Sequence, residues 1–157
     1  MQSTNRIMKA GGTLLLAGIF VTGTAFAQQG IQVTNAWARA TVAGQKVGGV
    51  YMDIRSAGSA RLVSAASPAA AKVEIHNMKM DNGVMKMFPV DGIDLPAGQT
   101  VKLAPGGYHV MLIDLRQGLK KGDTAQVTLT IEDAKKSRQT VTVNAEVRDV
   151  SGGSMAH

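Results

Sequence analysis

The most constraining feature of this chain is its rhythm. From residue 31 onward, short stretches of alternating apolar and polar side chains are cut every few residues by turn formers, and no stretch of about twelve residues carries a helical period. Candidate strands are Ile31–Ala38, Gly49–Arg55, Arg61–Ala65, Lys72–His76, Val84–Phe88, Thr100–Leu103, Tyr108–Leu115, Thr124–Glu132 and Thr140–Arg148. Between them, Asn82-Gly83, Pro96-Ala97-Gly98, Pro105-Gly106-Gly107 and Lys121-Gly122-Asp123 are tight-turn signals. Strands this short, each with one apolar side, must close over a shared core, so an all-β sandwich or barrel is predicted, in one domain. Composition agrees, with 45% hydrophobic and 18% charged residues in 157.

Residues 1–27 stand apart. A stretch carrying Arg6 and Lys9 and no acid precedes the apolar run Leu14–Val21, and Ala25-Phe26-Ala27 closes it, the pattern of a secretory signal cleaved after Ala27. The apolar run falls short of the ~20 residues that span a bilayer. The predicted organisation is a signal peptide (1–27), a β-sandwich domain (28–150) and a flexible tail (151–157) holding Met155 and His157, with the mature protein outside the cytoplasm. No cysteine follows the small residues to carry an acyl lipid.

What the mature chain lacks excludes several functions. With no cysteine there is no disulfide, thiolate nucleophile, iron–sulfur cluster or cysteine-ligated blue-copper site. Losing Arg6 and Lys9 lowers the net charge from +6 to +4, and scattered Lys and Arg with few aromatics argue against a nucleic-acid surface. No Ser/His/acid set, suggestive carboxylate pair or phosphate loop is evident, Gly48-Gly49 and Gly106-Gly107 reading as turn or bulge glycines, so no enzyme is predicted.

A metal is the remaining chemistry. Five of the seven mature methionines (Met78, Met80, Met85, Met87 and Met111, against Met52 and Met155) surround His76 and His109, the two histidines of the domain body. Alternation sets Val73 and Ile75 on the apolar side of their strand and His76 on the wet side, and sends His109 and Met111 out together opposite Val110 and Leu112. Met85 and Met87 share a side opposite Lys86, which is ordinarily a core side. Thioether sulfur is soft and favours Cu(I), whereas Mg²⁺ and Ca²⁺ prefer hard oxygen donors. Any one of these methionines taken alone reads as packing, and either histidine alone as a surface residue.

The spacing His76, ten residues, Met87, twenty-one residues, His109, one residue, Met111 resembles the H-x10-M-x21-H-x-M motif of the PCuAC family of periplasmic copper chaperones. Trp37-Ala38-Arg39, Gly49–Ile54, Val73–His76, Leu103–Met111 and Leu119–Asp123 resemble the same family, so the likeness runs through most of the mature domain. Some relatives carry Met directly after the first His. Asn77 stands there in this chain, leaving Met78 and Met80 as candidate auxiliary ligands.

The resemblance implies a cupredoxin-like β-sandwich that holds Cu(I) at an exposed site through His76, Met87, His109 and Met111. It also implies delivery toward the CuA centre of a cytochrome oxidase subunit or to another periplasmic copper chaperone. A His/Met-rich C-terminal extension takes up Cu(II) in some relatives, and Met155 and His157 are a thin version of it, the candidate for a secondary Cu(II) site. The competing expectations are copper buffering or tolerance without a dedicated acceptor, a metal-free immunoglobulin-like interaction module, and, disfavoured by the lack of cysteine, a copper electron carrier.

Overall fold

Ten strands and no helix make up residues 30–149, which the computed structural model describes. They are β1 (Ile31–Arg39), β2 (Val47–Ser56), β3 (Ala60–Ala66), β4 (Ala70–Asp81), β5 (Val84–Pro89), β6 (Ile93–Leu95), β7 (Thr100–Leu103), β8 (His109–Leu115), β9 (Thr124–Asp133) and β10 (Arg138–Arg148). The expectations for residues 1–27 and 151–157 lie outside the described residues. Hydrogen bonding links the strands in the order β5-β4-β8-β2-β1-β10-β9-β3-β6, with β7 beside the distal half of β2. β1 and β10 run parallel and every other pairing is antiparallel.

The all-β domain expected from the alternation is therefore present, as one continuous mixed sheet folded over on itself. Its inner side carries Val50, Met52 and Ile54 of β2, Val110 and Leu112 of β8, and Val127, Leu129 and Ile131 of β9, all within a single buried cluster. Met52 is core, as an ordinary strand residue beside Tyr51 should be. The four turn signals sit where expected. Asn82 and Gly83 both have positive φ (50° and 78°), the requirement of a two-residue type I′ hairpin, and Gly98, Gly106 and Gly122 take the left-handed positions of the other three.

Two elements differ from the expectation. β6 is three residues long, too short for alternation to register, and pairs with β3 through Ala60, Arg61 and Leu62. β4 does not end at His76 but runs on to Asp81, so that Asn77–Asp81 form an antiparallel hairpin with Val84–Phe88 that extends past the core. That overhang also corrects the reading of Met85 and Met87 as a core side: β5 is exposed along almost all its length, because no second layer of the described residues lies over it.

The division between core and overhang sets an expected pattern of stability. Leu129→Ala, at a fully buried position, is expected to cost about 2–5 kcal/mol. Met80→Leu and Met85→Leu, on the exposed hairpin, are expected to change stability by less than about 0.5 kcal/mol. Urea unfolding of the three variants measures both.

Candidate metal centre

β4 and β8 pair so that His76 lies directly opposite His109, and Glu74 opposite Met111. β5 pairs on the other side of β4, setting Met87 opposite Met78 and Pro89 opposite His76. Directly opposed residues share a sheet face with Cβ atoms about 4.5–5.5 Å apart. The outer face of β8-β4-β5 thus collects two imidazoles and several thioethers drawn from three strands. His76, Met87, His109 and Met111 all fall within this cluster. Met78 joins them, whereas Met80 and Met85 form the next pair out along the hairpin.

A recess of about 110 Å³ opens on this face, with Gly49, Tyr51, Met78, Met87, His109 and Met111 in its wall. Gly49 is the β2 residue opposite Met111. It lies within a strand, so the reading of Gly48-Gly49 as turn or bulge glycines is replaced by a close-approach role. A Cβ at Gly49 would stand 2.7 Å from the Tyr51 hydroxyl, and its absence leaves room beside the Met111 thioether.

The histidines are less open than an exposed site implies. His109 is only 3% exposed, although it points away from the core. Aromatic neighbours explain this. Trp37, Tyr51, His109 and His76 form a row across β1, β2, β8 and β4, with successive ring centroids 4.6, 6.1 and 5.7 Å apart. Trp37 reaches the row because β1 carries a bulge: Thr34 pairs with Asp53 but Trp37 with Tyr51, one residue more on β1 than on β2, with Asn35 at φ 53°. Strict alternation along β1 would have turned the indole to the opposite face.

Hydrogen bonds set the ring tautomers. The Nδ1–H of His109 donates to the Gly107 carbonyl (3.0 Å), which leaves its Nε2 with a lone pair. The Nε2–H of His76 donates to Glu74 Oε2 (2.6 Å), leaving Nδ1 as the lone-pair nitrogen of the neutral ring. That Nδ1 is buried and has no hydrogen-bond partner among the described residues. A buried unsatisfied acceptor costs about 1–3 kcal/mol, and a soft metal ion is a partner that would satisfy it. The carboxylate–imidazole and carbonyl–imidazole bonds are the outer supports that metal-binding histidines ordinarily have. Lys72, and after it His76, hold the Glu74 carboxyl below the usual carboxylate range, so it remains an acceptor.

Motif spacing alone revealed neither Glu74 nor Gly107 as a support. The signals were there: Glu74 is two residues before His76 on the same side of a strand, and Gly107 closes the turn entering β8, its N–H bonded to the Ala104 carbonyl.

These features define a class, an all-β domain with a soft-donor pocket on one sheet face. Residues 31–147 match the LpqE-like family, described as "Putative lipoprotein LpqE-like". The chain belongs to that family. It is 36% identical over 165 residues to "Putative lipoprotein Lxx21020" of Leifsonia xyli subsp. xyli, covering 97% of this chain and 96% of the relative. A lipoprotein description implies export.

Among solved structures, the copper-bound PCuAC domain from PmoF2 superposes with a TM-score of 0.60 at 28% identity, over 76% of this chain and 92% of that one. The Cu(I) form of DR1885 from Deinococcus radiodurans gives 0.51 at 30% identity, over 81% of this chain and 88% of that one. The fold is therefore that of a PCuAC domain, a non-enzymatic class, as the sequence resemblance implies.

Burial holds the His109 ring below the ordinary imidazole pKa; the Gly107 bond opposes this and the neighbouring His76 adds to it. The fold favours the neutral ring. The stability contributed by His109 is present above the unfolded-state pKa of about 6.5 and is lost as pH falls below it toward the folded value. The thermal midpoint of the metal-free protein is expected to drop more steeply than that of His109→Gln between about pH 7.5 and 5. Scanning fluorimetry of the two proteins tests this, and equal slopes would contradict it.

Proposed function

We propose that this domain carries Cu(I) through His76, Met87, His109 and Met111 and passes it to another exported copper protein. The observation that carries this reading is the pair of facing histidines whose tautomers are fixed by Glu74 and Gly107, one with a buried nitrogen that has no partner among the described residues, on the same sheet face as the thioethers. Neutral imidazole with uncharged thioether suits a soft monovalent ion and offers little to a hard divalent one. Such a set also suits an oxidising compartment, where a thiol would be prone to disulfide formation. Similarity to a copper-bound PCuAC domain and to a Cu(I)-bound relative supports the same metal.

In this reading the signal peptide is removed after Ala27 and the protein works in the periplasm. The acceptor is a CuA-bearing cytochrome oxidase subunit or a second copper chaperone. A buried His109, a half-buried His76 and a more exposed Met87 fit transfer, since an incoming ligand can displace the outer sulfur while the rings still hold the metal. A buffering role would rest on the same site and differ in lacking an acceptor. The tail residues Met155 and His157 are the candidates for a Cu(II) site.

Anaerobic competition against a chromophoric Cu(I) chelator tests the site. The purified protein is expected to take up one tight equivalent that His109→Ala with Met111→Ala loses; equal uptake by both proteins, or none by either, would sink the reading. Glu74→Gln keeps all four donors but weakens the bond that orients His76, and is expected to lower Cu(I) affinity by about 10- to 100-fold. An unchanged affinity would remove Glu74 from the site. Copper passing from the loaded protein to an isolated CuA domain, and not to chelator alone at the same rate, would distinguish delivery from storage.

A further inference from the structure

Beyond the pocket, the β4–β5 hairpin has one face made wholly of methionine. Met78 faces Met87, and Met80 faces Met85 in the adjacent pair toward the Asn82-Gly83 turn. The alternate positions Asn77, Lys79, Asp81, Val84, Lys86 and Phe88 occupy the opposite face, where Lys86 pairs with Asp81 and the Lys79 ammonium lies 5.5 Å from the Phe88 ring centroid. Packing does not account for the thioether face. Met80 is 63% exposed, Met85 42% and Met87 45%, and no layer among the described residues covers them. Exposed positions on a hairpin are ordinarily polar or β-branched, yet each of these three carries the same soft donor.

Resting on the copper reading above, we propose that the Met80–Met85 pair is a second, weaker Cu(I) site through which the metal enters and leaves the His/Met pocket. The two rungs are contiguous. Residues two apart along a strand are about 6.6–7 Å apart, a gap that flexible methionine side chains with three rotatable bonds can close from both ends. Movement between rungs is ligand exchange: one Cu–S bond forms to Met78 or Met87 as one breaks to Met80 or Met85. Copper stays Cu(I), and because a thioether carries no proton, none is taken up or released. The outer rung lacks imidazole, so it binds more weakly than the pocket and releases inward. On β4 exposure falls in the same direction, from Met80 (63%) to the half-buried Met78 and on to His109 across the register, while Met85 and Met87 on β5 are alike.

The test is anaerobic Cu(I) titration of the protein with ¹³C-methyl-labelled methionine, followed by NMR, together with the rate of loading from a Cu(I)–chelator complex. The first equivalent is expected to shift the Met87 and Met111 methyl resonances, and the second those of Met80 and Met85. M80L/M85L is expected to keep the first set of shifts, lose the second, and load more slowly. Stationary Met80 and Met85 methyls while Met87 and Met111 respond would overturn the outer site and leave the pocket standing. Unaltered loading by the variant would overturn the route. Met80 and Met85 shifts that follow protein concentration instead of copper would make the face a self-association surface. If none of the four methyls responds, the copper reading fails and the outer site with it.

Discussion

The antiparallel register of β4 on β8 is the constraint on which the rest depends. It places His76 against His109 and Glu74 against Met111, and the same register sends Val73 and Ile75, with Val110 and Leu112, inward. A slip of β4 by one residue would turn His76 toward the core and Val73 and Ile75 to solvent. Burial of apolar side chains, at about 25 cal/mol per Å², therefore holds the site together without any metal. Donors and core are opposite sides of the same strands, and the geometry of one is enforced by the energetics of the other.

The aromatic row extends that logic sideways. Tyr51 stacks between Trp37 and His109, giving His109 a dry wall on a face that would otherwise be wet. Its position depends on two local departures from regular sheet. The β1 bulge at Asn35 brings Trp37 to the outer face, and the missing side chain at Gly49 leaves space beside the Tyr51 hydroxyl. Asn35 is held by a hydrogen bond from its side-chain amide to Asp53, a residue of β2, so the bulge is tied to the strand it faces.

Much of the fold was legible from period and punctuation. Alternation located nine of the strands and set His76, His109 and Met111 on the outer side, and the Asn82-Gly83 dipeptide specified a hairpin whose positive φ angles follow from it. The rest was hidden for physical reasons. Ile93–Leu95 is too short to show a period, and the parallel partnership of β1 with β10 joins segments about a hundred residues apart that no local signal couples. The exposure of Met85 and Met87 could not be read from Lys86, because a hairpin that outruns its core has no inner side. At the candidate site, residue types and spacing identified a cluster that the fold does assemble, while the local supports of its histidines, Glu74 and Gly107, each two residues before its imidazole, lay outside the motif.

That division suggests how such a site can hold a metal and still exchange it. The imidazoles are the immobile part: His109 is buried among rings, and both are fixed by hydrogen bonds that belong to the strands and the entering turn. The thioethers are the adaptable part, unbranched and, at Met80, Met85 and Met87, exposed. A site made only of the first kind would exchange slowly, since each donor is enclosed, and one made only of the second would be disordered before copper arrived and would lose side-chain entropy on binding it. Joining a rigid pair to a flexible series at the edge of the core places exchange on the side of the molecule where ordering costs fall on few residues. In the proposed copper role the overhang of β4 beyond His76 would be a functional extension of the strand, built where the core no longer dictates which residues it carries.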